Sequence, residues 1–233
     1  MSVSMFEYGL FGRLRQSAGQ DWQHYVSHPF LQQLGAGTLP EVAFRRYLTQ
    51  DYLFLIHFAR AYALLAGKFH TLPEIRAAVR SLNHIVEELP LHVGYCAGWE
   101  LTEQQMAAEP EARETINYTR YVLDIGHTGD ALELLVALLP CVAGYAEVGL
   151  QLLRDPNTVM ENNPYASWMQ NYSDPAYLDG VKAAIEMLDR VGQERGADAR
   201  FARLSEIFTT ATQLESAFWQ MGLNAAKTPG AAA

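Results

Sequence analysis

The sequence predicts an all-α protein, a single-domain multi-helix bundle, on three observations. Apolar residues recur at helical spacing along nearly the whole chain. No run of alternating residues is long enough to make a convincing strand. The breaks between periodic segments are short, which suits long amphipathic helices packed as neighbours. At 233 residues and 49% hydrophobic, the chain can bury one large core, and the domain is placed at residues 1–224. Ala225–Ala233, with Pro229, Gly230 and a run of alanines, is expected to fray.

The elements follow in order. A first helical region covers about Met5 to Ser27. Gly35-Ala36-Gly37-Thr38-Leu39-Pro40 then breaks the chain. Pro40 stands at a favoured first helical position, with Glu41 in the first turn. A long helix runs from about Glu41 to Phe69. The next begins at Pro73 and covers Glu74 to Glu100, kinked or interrupted at Pro90. Further helices are expected at about Glu111–Gly126, Asp130–Arg154, Pro175–Gly192 and Asp198–Leu223. The most apolar run, Ala131–Leu153, is cut by Glu133, Pro140, Glu147 and Gln151, so it reads as a buried core helix and not a membrane span.

The net charge of −9 is built from scattered residues of both signs. It offers no basic footprint for nucleic acid or anionic lipid. No Gly-rich loop sits between a strand-like run and a helix, so a nucleotide-binding loop of that kind is absent. Cys96 and Cys141 make no disulfide framework, and Met1–Leu10 lacks the basic and apolar regions of a signal peptide. A reduced, cytoplasmic protein is the expectation.

The informative residues are the polar ones that interrupt core stripes. One stripe runs Phe44, Tyr47, Leu48, Asp51, Leu55, Phe58, Tyr62, Leu65, with Asp51 in its middle. A second runs Leu134, Leu138, Cys141, Tyr145, Val148, Leu152. A third runs Leu204, Phe208, Ala211, Glu215, Phe218. A buried carboxylate without a partner costs several kcal/mol, so each must be protonated, paired or turned to a polar cavity. Two carboxylates and a thiol on three helices are consistent with a ligand pocket in a bundle interior, and Tyr47, Tyr118, Tyr145, Tyr172 and Phe218 suit a flat ligand. The bland reading stays open beside it. A cysteine on an apolar face serves as a small core residue, a lone acid pairs with a buried arginine or lies at a rotated, exposed edge, and tyrosines fill cores. Pro140, inside a helical run, either kinks the helix beside Cys141 or marks a helix boundary.

These residues lie in a series of motifs. His28-Pro29-Phe30-Leu31-Gln32 and Gly35-Ala36-Gly37-Thr38-Leu39-Pro40 come first, then Tyr47-Leu48-Thr49-Gln50-Asp51-Tyr52. Leu138-Leu139-Pro140-Cys141 and Tyr145-Ala146-Glu147-Val148-Gly149 follow. Asn163-Pro164-Tyr165 through Trp168, Asn171-Tyr172-Ser173 and Glu215-Ser216-Ala217-Phe218-Trp219 complete the series. In this order they resemble the cysteine-bearing branch of the TenA/thiaminase II family. The resemblance implies a heme-oxygenase-like helical fold and a homotetramer. It also implies hydrolysis of an aminopyrimidine in thiamin salvage, without a cofactor or a metal. By motif, Cys141 would be the nucleophile, Glu215 the proton donor, and Asp51 the carboxylate that orients the pyrimidine. Tyr47, Tyr118, Tyr145, Tyr172 and Phe218 would line the site. Phe54 stands where the family often has a tyrosine, three residues after the aspartate, and removes one hydroxyl contact. Asn163 stands where a histidine is common, and that exchange reads as structural.

Two rival readings accompany this one. Glu88 and His92, four apart with Glu87 adjacent, have metal-ligand spacing, but Pro90 lies between them and no histidine follows His127. A metal oxidase of the same fold therefore lacks imidazole ligands from the later helices, and the related cofactor-free quinone-biosynthesis oxidase is disfavoured by the same shortage of histidine. A non-catalytic, pyrimidine-binding or regulatory homologue would keep the pocket without turnover.

Overall fold

The computed structural model describes the backbone of residues 3–97 and 101–227, and side chains at 5–87, 89 and 101–227. Among these there is no strand. The helices are α1 (Gly9–Val26), α2 (Pro29–Gly35), α3 (Glu41–Lys68), α4 (Leu72–Ala97), α5 (Glu103–Ala108), α6 (Arg113–Thr128), α7 (Ala131–Leu152), α8 (Ala166–Ser173), α9 (Pro175–Glu194) and α10 (Phe201–Ala225). The expected all-α class holds, and the long helices lie where the periodicity places them. Residues 228–233, most of the segment expected to fray, are outside the described residues.

Four details refine or settle the sequence reading. The first region is a short 3-10 turn followed by α1, which bends at Gly19 (φ 50°, ψ −114°). Helix α4 is continuous past Pro90 to Ala97. Helix α7 likewise runs through Pro140, so that proline is interior to a helix and not its end. The short helices α2, α5 and α8 were not expected. Two of them are set by local capping: the Nδ1 of His28 accepts from Phe30 N at 3.2 Å, with Pro29 at the first helical position of α2. Thr102 and Gln105 form a reciprocal capping box at the start of α5.

The chain packs as two compact units, each built from two chain segments: Met1–Leu39 with Leu135–Trp219, and Pro40–Leu134 with Gln220–Ala233. In the first unit the core is aromatic. Phe11, Trp22 and Phe208 meet at 5.4–5.7 Å, Trp22 stacked on Phe208. Phe30 stacks on Trp219 at 5.1 Å. Glu147 on α7 is 3% exposed, yet fully paired: its carboxylate accepts from Arg15 Nε (2.9 Å) and Nη2 (2.6 Å), Trp22 Nε1 (3.1 Å) and Gln151 Nε2 (2.9 Å). This joins α1 to α7 and holds the Arg15 guanidinium above its ordinary range, against the cost of partial burial. Asn163 is structural, as expected: its Nδ2 donates to the carbonyls of Leu34, Gly35 and Val159, and its Oδ1 accepts from Tyr165 N.

In the second unit α3 packs against α4, α5 and α6. Residues Tyr47 to Leu55 are buried without interruption, so this stretch is enclosed around its whole circumference. Gln50, fully buried, is satisfied by donating to Pro110 O (3.0 Å) and accepting from Ala112 N and Thr115 Oγ1 (2.7 Å each). It fixes α3 to the start of α6. Helix α7 is apolar enough to span a membrane by length and composition, but 83% of its most apolar window is buried in the protein, which fits the core-helix reading.

His28 supplies a pH test of this packing. Burial, reinforced by neighbouring His24, pushes its pKa down from 6.5 to about 4, so the ring is neutral as the α2 cap requires. A depressed folded pKa means stability is whole above pH 6.5, falls as pH drops from there to about 4, and levels off below. The full loss is about 3 kcal/mol. Thermal melts across that window are expected to show the slope in wild type and to lose it in His28→Asn, which retains a capping side chain. An equal slope in both proteins would assign the titration elsewhere.

Candidate functional site

The expected site residues divide between the units, and each group is coherent in itself. In the first unit, Cys141 and Tyr145 lie one turn apart on α7 and share a face. Cys141 is half-buried and is not in a disulfide. On α10, Glu215, Phe218 and Trp219 share a face, and the two side chains of the expected set, Glu215 and Phe218, are each 2% exposed. Tyr145 and Trp219 bring the two faces together, with ring centroids at 5.2 Å. The thiol and the carboxylate thus each stand one turn before a member of the same ring pair. Helix α8 closes the aromatic wall. Tyr172 meets Tyr145 edge-on at 4.8 Å, and Trp168 meets Tyr172 at 4.7 Å and Tyr145 at 5.9 Å. Gly149 lets this helix approach, since a Cβ there would lie 2.9 Å from the Tyr172 backbone.

In the second unit, Asp51 is 5% exposed on α3 and accepts from Tyr47 Oη, one turn earlier, at 3.3 Å. Phe54 packs on Tyr118 of α6 at 4.9 Å and on Phe58 at 5.1 Å. The position where the resemblance expects a hydroxyl is therefore filled by an apolar ring among rings.

All three polar interruptions lie on buried or half-buried faces, which removes the exposed-edge reading of the two acids. Sequence reasoning passed over the residues that hold them: Trp168 and Trp219 in the wall, and Tyr25 and Tyr177 against α7. Tyr25 Oη donates to Pro140 O at 3.2 Å, and Tyr177 Oη donates to Val142 O at 3.1 Å. A tyrosine in a bundle carries no signal of which carbonyl it will reach. Among the described residues no group of three His, Cys, Asp or Glu could hold a metal ion. The side chains of Glu88, His92 and Cys96 lie outside the described residues. His57, on the second unit, is engaged in a surface cluster, 2.7 Å from Glu111, which in turn pairs with Arg120 at 2.6 Å.

Against known proteins, the profile described as TENA/THI-4/PQQC family matches residues 15–225. An uncharacterized protein of Haemophilus influenzae is 38% identical over 92% of this chain and 99% of its own length. An aminopyrimidine aminohydrolase of Halalkalibacterium halodurans is 31% identical over 91% of this chain and 94% of its own. Among solved structures, a TenA family transcription regulator from Silicibacter sp. TM1040 superposes with a TM-score of 0.88 at 42% identity, covering 94% of this chain and 98% of that one. A domain with a heme oxygenase-like fold from Shewanella denitrificans superposes at 0.72 with 14% identity, over 92% of each chain, and gives the fold its description.

Proposed function

Because the chain belongs to the TENA/THI-4/PQQC family, we propose that it is an aminopyrimidine aminohydrolase of the thiaminase II type, acting in thiamin salvage. The observation that carries this reading is the juxtaposition in the first unit. Cys141 and Glu215 stand on two helix faces joined through the Tyr145–Trp219 contact, within a wall of aromatic side chains. The name borne by the Halalkalibacterium relative supports the substrate class.

The chemistry needs these residue types. The Cys141 thiolate adds to an electron-poor carbon of the pyrimidine ring while a ring nitrogen takes a proton from Glu215. The adduct expels the amine from the exocyclic methylene as ammonia. Water adds at that methylene, and departure of the thiol restores the aromatic ring. The balance is aminomethyl pyrimidine plus water giving hydroxymethyl pyrimidine plus ammonia. Covalent addition divides one hard displacement into easier steps, and the carboxyl group moves the protons. Asp51 is assigned to accept from the ring's amino group, an orienting role. Tyr145, Tyr172 and Phe218 of the first unit supply contact and exclude water, and the resemblance assigns contact roles to Tyr47, Phe54 and Tyr118. A thiol nucleophile must stay reduced, which makes a cytoplasmic location part of the proposal.

The direct test is ammonia and hydroxymethyl product from 4-amino-5-aminomethyl-2-methylpyrimidine, without added metal. Turnover supports the hydrolase. Saturable binding with no product supports a non-catalytic homologue, the reading for which the regulator name of the Silicibacter structure speaks.

A homo-oligomer belongs to the same proposal. On α4, Leu72, Val79 and Val86 are 56%, 39% and 51% exposed and fall seven residues apart, so they form one line along the helix. Arg76 and Arg80 flank its first half and Glu87 its second. A second copy packed antiparallel across a two-fold axis sets Val79 of one against Val86 of the other, and arginines against glutamate. Light scattering is expected to show that wild type is an oligomer and that Val79→Glu/Val86→Glu lowers its mass with helicity intact. An unchanged mass in that variant would place the contact elsewhere.

A further inference from the structure

We propose that Tyr25 and Tyr177 are positioning residues that clamp the α7 backbone on either side of Cys141. This rests on the reading of Cys141 as the nucleophile. Proline has no N–H, so at Pro140 the helix loses one internal hydrogen bond next to the residue whose placement matters most. The carbonyls flanking Cys141 are held from outside: Pro140 O by the Tyr25 hydroxyl at 3.2 Å, and Val142 O by the Tyr177 hydroxyl at 3.1 Å. The donors come from α1 and α9, so the segment is gripped by two separate helices.

The fit around Tyr25 is tight. Its side chain is fully buried, and a buried phenol must find an acceptor. Its ring lies over Gly144, where a Cβ would stand 2.2 Å from Cε1 and 2.5 Å from Oη. Any side chain at 144 would therefore expel the ring from the carbonyl. Each clamp also touches the aromatic wall. The Tyr25 ring stacks on Trp219 at 6.3 Å, and Tyr177 meets Tyr172 edge-on at 5.2 Å. The two hydroxyls thereby tie the direction of the Cys141 side chain to the wall its substrate would pack against. Misplacement of a reacting group by even an ångström costs up to about 100-fold, so loss of a single clamp matters even if the fold survives.

The test uses Tyr25→Phe, Tyr177→Phe and Gly144→Ala in the full chain, with Cys96→Ser as the common background. Two readouts are taken: the rate of Cys141 alkylation by iodoacetamide at fixed pH, and kcat and KM for the aminopyrimidine. The expected result is about tenfold lower kcat with KM unchanged, an altered alkylation rate, and, for the two Tyr→Phe variants, melting temperatures close to the background. Tyr177 is only half-buried, so its variant keeps the test decisive if the Tyr25 or Gly144 variant does not fold. Unchanged alkylation and unchanged kcat in folded Tyr177→Phe and Tyr25→Phe would overturn the clamp. Equal loss of kcat and KM affinity with unchanged alkylation would also overturn it. If the background protein has no turnover, the hydrolase reading fails by itself, and the alkylation rates still decide the clamp.

Discussion

Cys141→Ser is expected to lower kcat for aminopyrimidine hydrolysis by roughly 10³-fold or more while leaving pyrimidine binding within a few-fold of wild type. A serine hydroxyl is nearly isosteric with the thiol, so the half-buried position on α7 is preserved. At neutral pH a serine has almost no anion to add to the ring, whereas a cysteine has some even at its ordinary pKa. Glu215→Gln is expected to cost between about 10² and 10⁴ in kcat, the usual range for a positioned proton donor. The two losses do not add, since both residues serve one step, and the double variant is expected to fall little below the worse single one. Ammonia release and calorimetric binding, measured on the same preparations, check all three. A serine variant that retained turnover within about tenfold would remove the thiol from the mechanism.

The largest effect on stability is expected at Glu147. Glu147→Leu removes the acceptor for Arg15, Trp22 and Gln151 in a position that is 3% exposed. Breaking a buried ion pair from one side costs about 3–5 kcal/mol, because the remaining charge stays partly buried. For a chain of this size that lowers Tm by about 10 °C. Adding Arg15→Met is expected to recover a large part of the loss, since an apolar pair of similar volume often replaces a buried ionic one at little cost. Scanning calorimetry on the single and double variants reads both. A fall below about 2 °C in Glu147→Leu would mean that the network contributes geometry and little energy.

What was legible in the sequence depended on whether a pattern was local. Asp51, Cys141 and Glu215 stood out because each interrupts a helical stripe whose other members turned out buried. The long helices were legible for the same reason. The helices α2, α5 and α8, of 7, 6 and 8 residues, were not, because two turns are too few to establish a period. Pro140 left two readings, and only tertiary contacts could choose the uninterrupted helix. Glu147 was visible as a break in an apolar run, but its arginine lies on a distant helix at no fixed spacing. The residues that support the candidate site, Trp219, Trp168, Tyr25 and Tyr177, were hidden for a simple cause. Their side chains are of the kind that fill any core, and their partners are backbone atoms or other rings.

The bend in α1 has a bearing on that ionic network. Arg15 and Trp22 lie on opposite sides of Gly19, the residue whose backbone leaves the helical region, and both reach the same carboxylate. A straight helix would carry those two donors past Glu147 as points on one rigid line. Breaking the axis between them lets them converge. Nothing lies within 4 Å of where a Cβ at Gly19 would sit, so what demands glycine there is the backbone angle and not the space. A residue at 19 that straightens the helix is therefore expected to weaken the same pairing that Glu147→Leu removes.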